Sequence, residues 1–178
     1  MDKHILPECF TDTILVEKLV PSKLGYNHKV GCNNVAKEMK SGRLKDNFAV
    51  GIIDKDKNEV KYLAEFELID NVEGSLNLWL HVSKPHYMIQ ICPALEKWLI
   101  NVCKKGNINI EDFGLPVQLD ELIRFTKSSQ SDQDTRITNL CKALAGRNDL
   151  IEINKLRHWI SYLKQKNYKA DIKELKNV

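Results

Sequence analysis

The sequence predicts an α/β protein: a central, mostly parallel sheet flanked by helices, followed by a C-terminal helical extension. Three observations carry this. Short apolar, β-rich segments alternate with helix start and stop signals as far as residue 106. Two of those segments run straight into acidic residues. From Val117 onward the apolar residues recur only at helical spacing. The expected organisation is an α/β domain over residues 1–106 and a helical extension over 107–178 packed on it.

Residues 4–8 form a short apolar stretch closed by Glu8, after which Thr11 offers an N-cap hydroxyl to a helix carrying Ile14, Leu15 and Leu19 and stopped by Pro21. An extended piece over 26–30 follows Gly25. Asn33 or Asn34 then caps a helix with Val35 and Met39 that ends at Gly42, a second β-α step. The run 48–53 is continuously apolar, as a central strand covered on both faces should be, and stops at Asp54. Strands are expected at 76–82, where Leu76, Leu78 and Leu80 alternate with polar or aromatic neighbours, and at 87–92. Pro93 suits the first turn of a helix bearing Leu95, Trp98, Leu99 and Val102 and closed by Gly106. Helical blocks follow at 119–126, 135–144 and 151–163, with a polar loop at 128–134.

Composition narrows the classes. With 43% hydrophobic and 29% charged residues in 178, the chain is too apolar for a disordered protein. No apolar run approaches the roughly 20 residues needed to cross a bilayer, and the opening MDKHILPECF is too polar for a secretory leader, so a cytoplasmic location and no membrane partner are expected. Five scattered cysteines without a C-x-x-C pair read as free thiols, Cys9 among them as a small structural side chain. The net charge of +3 is concentrated after residue 150. Such an excess suits either a phosphate backbone or a solvated helix face.

In an open α/β sheet the ligand site lies beyond the carboxyl ends of the strands. Glu8 and Asp54 both end predicted strands. Asp54 and Asp56, two apart in extended chain, point to the same side and can share a hard cation such as Mg²⁺ or Mn²⁺, which needs only one or two protein carboxylates. Glu8 can join that metal set or move a proton at the reacting oxygen, and Asp12 can assist a second ion. The run Asp-Lys-Asp-Lys-Asn also has the composition of a solvated turn; an apolar strand leading into it and a separate strand-ending acid upstream favour the metal site. Accessory candidates are Glu96, which equally suits a dipole-stabilised first turn, Lys55 and Lys57 beside the acids, and His81 and His86 near the strand pair, as phosphate contacts. Trp79, Trp98 and Trp159 read as core rather than base-stacking surfaces.

These residues resemble the Toprim family, the catalytic module of topoisomerases, bacterial primases and the overcoming-lysogenization-defect nucleases. The stretch Ile5-Leu6-Pro7-Glu8-Cys9-Phe10-Thr11-Asp12 is similar to the family's V-E-G-x-x-D strand end, and Ile52-Ile53-Asp54-Lys55-Asp56 to its D-x-D. Cys92-Pro93-Ala94-Leu95-Glu96-Lys97-Trp98-Leu99 resembles the P-x-x-E-x-W-L segment of small stand-alone Toprim proteins of bacterial defence loci. The likeness spans residues 4–103. It implies a magnesium-dependent nuclease acting on nucleic acid, in the setting of anti-phage defence, with Asp54, Asp56 and Glu8 at the metal and Glu8 and Asp12 in catalysis. Cys9 stands where the family has Gly, and Pro7 precedes the acid. The competing expectation is a non-catalytic Toprim module partnering an ATPase, since the chain has no ATP-binding loop of its own. Self-association as a homo-oligomer is left open by the sequence.

Overall fold

The computed structural model describes residues 2–55, 60–127 and 134–177. Strands β1 (Ile5–Pro7), β2 (Ala49–Asp54), β3 (Phe66–Val72), β4 (Leu76–His81) and β5 (His86–Ile91) form one sheet in the order β1-β2-β5-β4-β3. β1, β2 and β5 are parallel, while β4 and β3 run antiparallel to their neighbours. The sheet is therefore mixed, not mostly parallel.

Side-chain alternation along β2 divides two apolar layers. Val50 and Ile52 face a layer made by helices α1 (Phe10–Leu19), α3 (Leu95–Lys105), α5 (Thr135–Ala145) and α6 (Ile151–Lys166), whereas Ala49 and Ile53 face α2 (Cys32–Met39) and the 3-10 helix Lys61–Glu65. Gly51 lies on the second face. A Cβ there would stand 2.5 Å from Met88 Sδ and 2.9 Å from Val35 Cγ1, so the missing side chain lets α2 approach the sheet. Helices α4 (Leu119–Thr126) and α7 (Ile172–Lys176) complete the first layer through Leu122 and Leu175. Residues on both sides of position 106 share that core, with α5 and α6 packed on α1.

Several expectations are corrected. Residues 26–30 form no strand; Tyr26 makes an isolated parallel bridge to Asp2, and the segment follows the outer edge of β1, Asn27 N–H donating to Ile5 O and Lys29 N–H to Pro7 O. Carbonyl and nitrogen of one strand residue point the same way, so the Pro7 nitrogen faces this outer edge and no β1–β2 ladder bond is lost. The N-caps are Cys9 for α1, Gly31 for α2 and Ala94 for α3. Thr11 lies inside α1, Asn33 and Asn34 inside α2, and Pro93 ahead of α3. β3 escapes sequence patterning because it is an edge strand, mostly exposed or half-buried, whose Phe66-Glu67-Leu68 alternation is broken by a bulge between Leu68 and Asp70. The expected loop at 128–134 lies outside the described residues except for Asp134, which caps α5.

The basic C-terminal residues are partly consumed internally. Lys155, in α6, is 7% exposed and binds Asp70 of β3 and the Lys176 carbonyl, while Lys164 pairs with Asp2. Trp98 and Trp159 are core residues and Trp79 is half-buried. Among the described residues no disulfide forms, and no helix is long and apolar enough to cross a membrane.

Candidate metal centre

The parallel strands deliver their carboxyl ends to one rim. Glu8 follows β1 directly and Asp54 is the last residue of β2. The Asp54 backbone N–H donates to Glu8 Oε2 at 2.9 Å, so the glutamate reaches across to its neighbour's strand end. The first amide of α3 approaches from the third strand, Leu95 N–H donating to Asp54 Oδ1 at 3.0 Å.

Asp12 arrives through the N-terminus of α1. Cys9 Sγ accepts the Asp12 N–H at 3.4 Å while Asp12 Oδ2 accepts the Cys9 N–H at 3.1 Å, a reciprocal capping box. The sequence signal was a C-x-x-D spacing in which a thiol takes the place of the usual hydroxyl. Asp12 is completely buried, and its Oδ1 has no hydrogen-bond partner among the described residues. Glu96, in the first turn of α3 and 8% exposed, accepts from the Thr126 hydroxyl at 2.5 Å. No pattern in the sequence announced Thr126 as its partner.

Burial first, and then the charges of Asp12, Glu8 and Glu96, push the Asp54 carboxyl far above its ordinary value. Asp12 is raised mainly by burial, with Glu8 and Glu96 adding to it. Four carboxyl groups thus sense one another at the rim, beside the positive ends of two helices. The Cys9 thiol is driven upward by burial and by Asp12, which leaves it inert as a nucleophile. Its φ of −140° and ψ of 175° are extended, so a residue other than glycine sits there without strain.

The donor set is hard oxygen throughout, suited to magnesium or manganese rather than to a thiolate-binding metal. An unpartnered, buried carboxylate oxygen among mutually repelling acids is what a divalent cation would relieve. Among the described residues no group of three His, Cys, Asp or Glu side chains is disposed to hold an ion. Magnesium takes only one or two protein carboxylates directly, and the Asp54–Glu8 pair meets that number. Asp56 and Lys57 lie outside the described residues. Lys55 is exposed at the same rim, its N–H donating to Ile91 O.

His81 and His86 are not brought to the acids. Ala49 pairs with His86 and Asp54 with Ile91, so His86 begins β5 at the opposite rim, about 16 Å away along the strand. His81 ends β4 at that same rim. Both rings are buried in a polar cluster with Tyr62 and Glu65, which removes them as phosphate contacts. The chain matches no family model, no curated protein and no solved structure.

Proposed function

We propose that this chain is a Toprim-type, magnesium-dependent nuclease that hydrolyses phosphodiester bonds of nucleic acid, of the kind that serves anti-phage defence. The observation that supports it is the meeting of Glu8, Asp12, Asp54 and Glu96 at the carboxyl rim of parallel strands, with Asp12 and Asp54 held above the normal carboxylate range. Asp54 and Glu8, with Asp56 in sequence beside them, would hold the ion. A bound magnesium supplies positive charge to a phosphoryl oxygen and acidifies a water. Leu95 N–H fixes the Asp54 carboxylate by one oxygen, and the bond from Asp54 N–H fixes Glu8 relative to it. Glu8 is thereby the group positioned to take a proton from the attacking water or return one to the leaving oxygen. Asp12 secures the start of α1 and adds negative charge behind them.

With Mg²⁺ or Mn²⁺, the purified protein should cut single-stranded, double-stranded or transfer RNA substrates. Asp54→Asn and Glu8→Gln should each lower the rate by roughly 100-fold or more, since both retain shape while losing charge. Cleavage undiminished in both variants rejects the assignment. A second reading, a non-catalytic module that docks on an ATPase, draws on the commitment of Asp12 to capping, on Cys9 where the resembled family has Gly, and on a sequence with no ATP-binding loop of its own. Calorimetric titration separates the two: the nuclease binds Mg²⁺ or Mn²⁺ at millimolar concentration or below, and the module does not.

A further inference from the structure

Phe10 opens α1 and stands in the chain midway between Glu8 and Asp12. The residue is 47% exposed and belongs to neither apolar layer. It stacks on His28, with centroids 4.2 Å apart and planes inclined by 27°. A solitary exposed apolar side chain is ordinary and needs no explanation. Phe10 differs in its backing and its place. His28 belongs to the segment that zips onto the outer edge of β1, where Asn27 and Lys29 donate to Ile5 and Pro7, and where Gly31 N–H donates to Glu8 O. The main chain on either side of His28 is therefore held along β1, and the imidazole lies against the phenyl ring, which follows Glu8 by two residues in the chain. Burial and the Lys29 charge lower the His28 pKa, so the imidazole is neutral near pH 7 and the pair presents an uncharged aromatic surface.

We infer that Phe10, backed by His28, is a stacking platform for one nucleobase of the strand whose phosphate lies at Glu8 and Asp54. This rests on the phosphodiester reading of the acid rim and adds to it an unpaired nucleotide as the substrate form, because a base inside a duplex offers no free face. Stacking on a single aromatic ring tolerates every base. The platform accordingly selects for strandedness and not for sequence.

The test uses the Glu8→Gln protein, in which the strand stays intact, and single-stranded DNA and RNA oligonucleotides alongside abasic strands of equal length. Adding Phe10→Ala should weaken binding of base-bearing strands by roughly 5- to 150-fold and leave abasic strands unaffected, with Phe10→Tyr restoring the difference. In a Phe10→Trp variant the added fluorescence should be quenched by base-bearing strands and much less by abasic ones. The exposed position keeps these variants folded, which thermal melts verify. If Phe10→Ala binds both kinds of strand as its parent does, the platform is wrong and the phosphodiester reading survives. If the parent binds no strand with or without Mg²⁺, that reading falls and the platform with it.

Discussion

At one rim of the sheet His86 hands Nδ1 to the Tyr62 hydroxyl at 2.6 Å and Nε2 to the Leu44 carbonyl at 2.9 Å, while His81 bonds Glu65 and the Ser83 amide. At the other rim four carboxyl groups share a space in which Asp12 Oδ1 has no partner among the described residues. Both clusters are buried, polar and titratable. The first is closed, because each ring nitrogen of both histidines is matched by a complementary group. In the second, acidic groups that raise one another's pKa values are gathered together. Burial of polar groups is thus no mark of a site; the sign and saturation of what surrounds them is.

The two rims also respond oppositely to pH. His86 is lowered below its ordinary 6.5 by burial, so the unfolded chain binds a proton that the folded one resists, and this rim loses stability as pH falls through 6.5. Asp12 and Asp54 are raised above 3.8, so the folded chain keeps protons that the unfolded one releases. This rim loses stability as pH rises from about 4 past neutrality.

The largest stability effect expected from this contrast is His86→Ala. It takes from the buried Tyr62 hydroxyl its His86 partner and from the Leu44 carbonyl one of two hydrogen bonds, the Asn47 N–H remaining, and with the cavity left by the ring should cost about 3 kcal/mol in denaturant unfolding. A cost near zero would mean that the histidine rim is not the saturated cluster described. Next comes Asp54→Asn, which should stabilise the metal-free protein by roughly 1 kcal/mol at pH 8 and flatten the decline in stability between pH 5 and pH 8 (about the span over which the repulsion develops). Thermal melts across pH check this, and melts with Mg²⁺ sharpen it: the ion should stabilise the parent most at alkaline pH and the variant hardly at all. The smallest is Glu65→Ala. The Glu65 side chain is 52% exposed, so loss of its bond to His81 should cost no more than about 1 kcal/mol, measured by the same unfolding.

How much of this was legible beforehand follows the range of the interactions. β2 could be read because an apolar run covered on both faces is a local pattern, and Glu8 and Asp54 because both stand at strand ends. β3 could not, since the bulge after Leu68 breaks the alternation that Phe66, Glu67 and Leu68 begin. Glu96 was legible as a first-turn acid but not its hydrogen bond to Thr126, thirty residues on. His81 and His86 looked like site residues because sequence distance says nothing about which rim a strand end occupies. Register and strand direction alone sent them to the far side.

Sequence by itself determined the alternation of strands and helices, the acids and their order, and the absence of cysteine pairs, because each depends on residues within a few positions of one another. Only the tertiary structure decided that Glu8 would reach Asp54 across 46 positions of chain and that Glu96 would meet Thr126. It also decided that the C-terminal helices would share the core of the first hundred residues. Those outcomes depend on which strands pair and on which face a helix lands, and packing of the whole chain settles both.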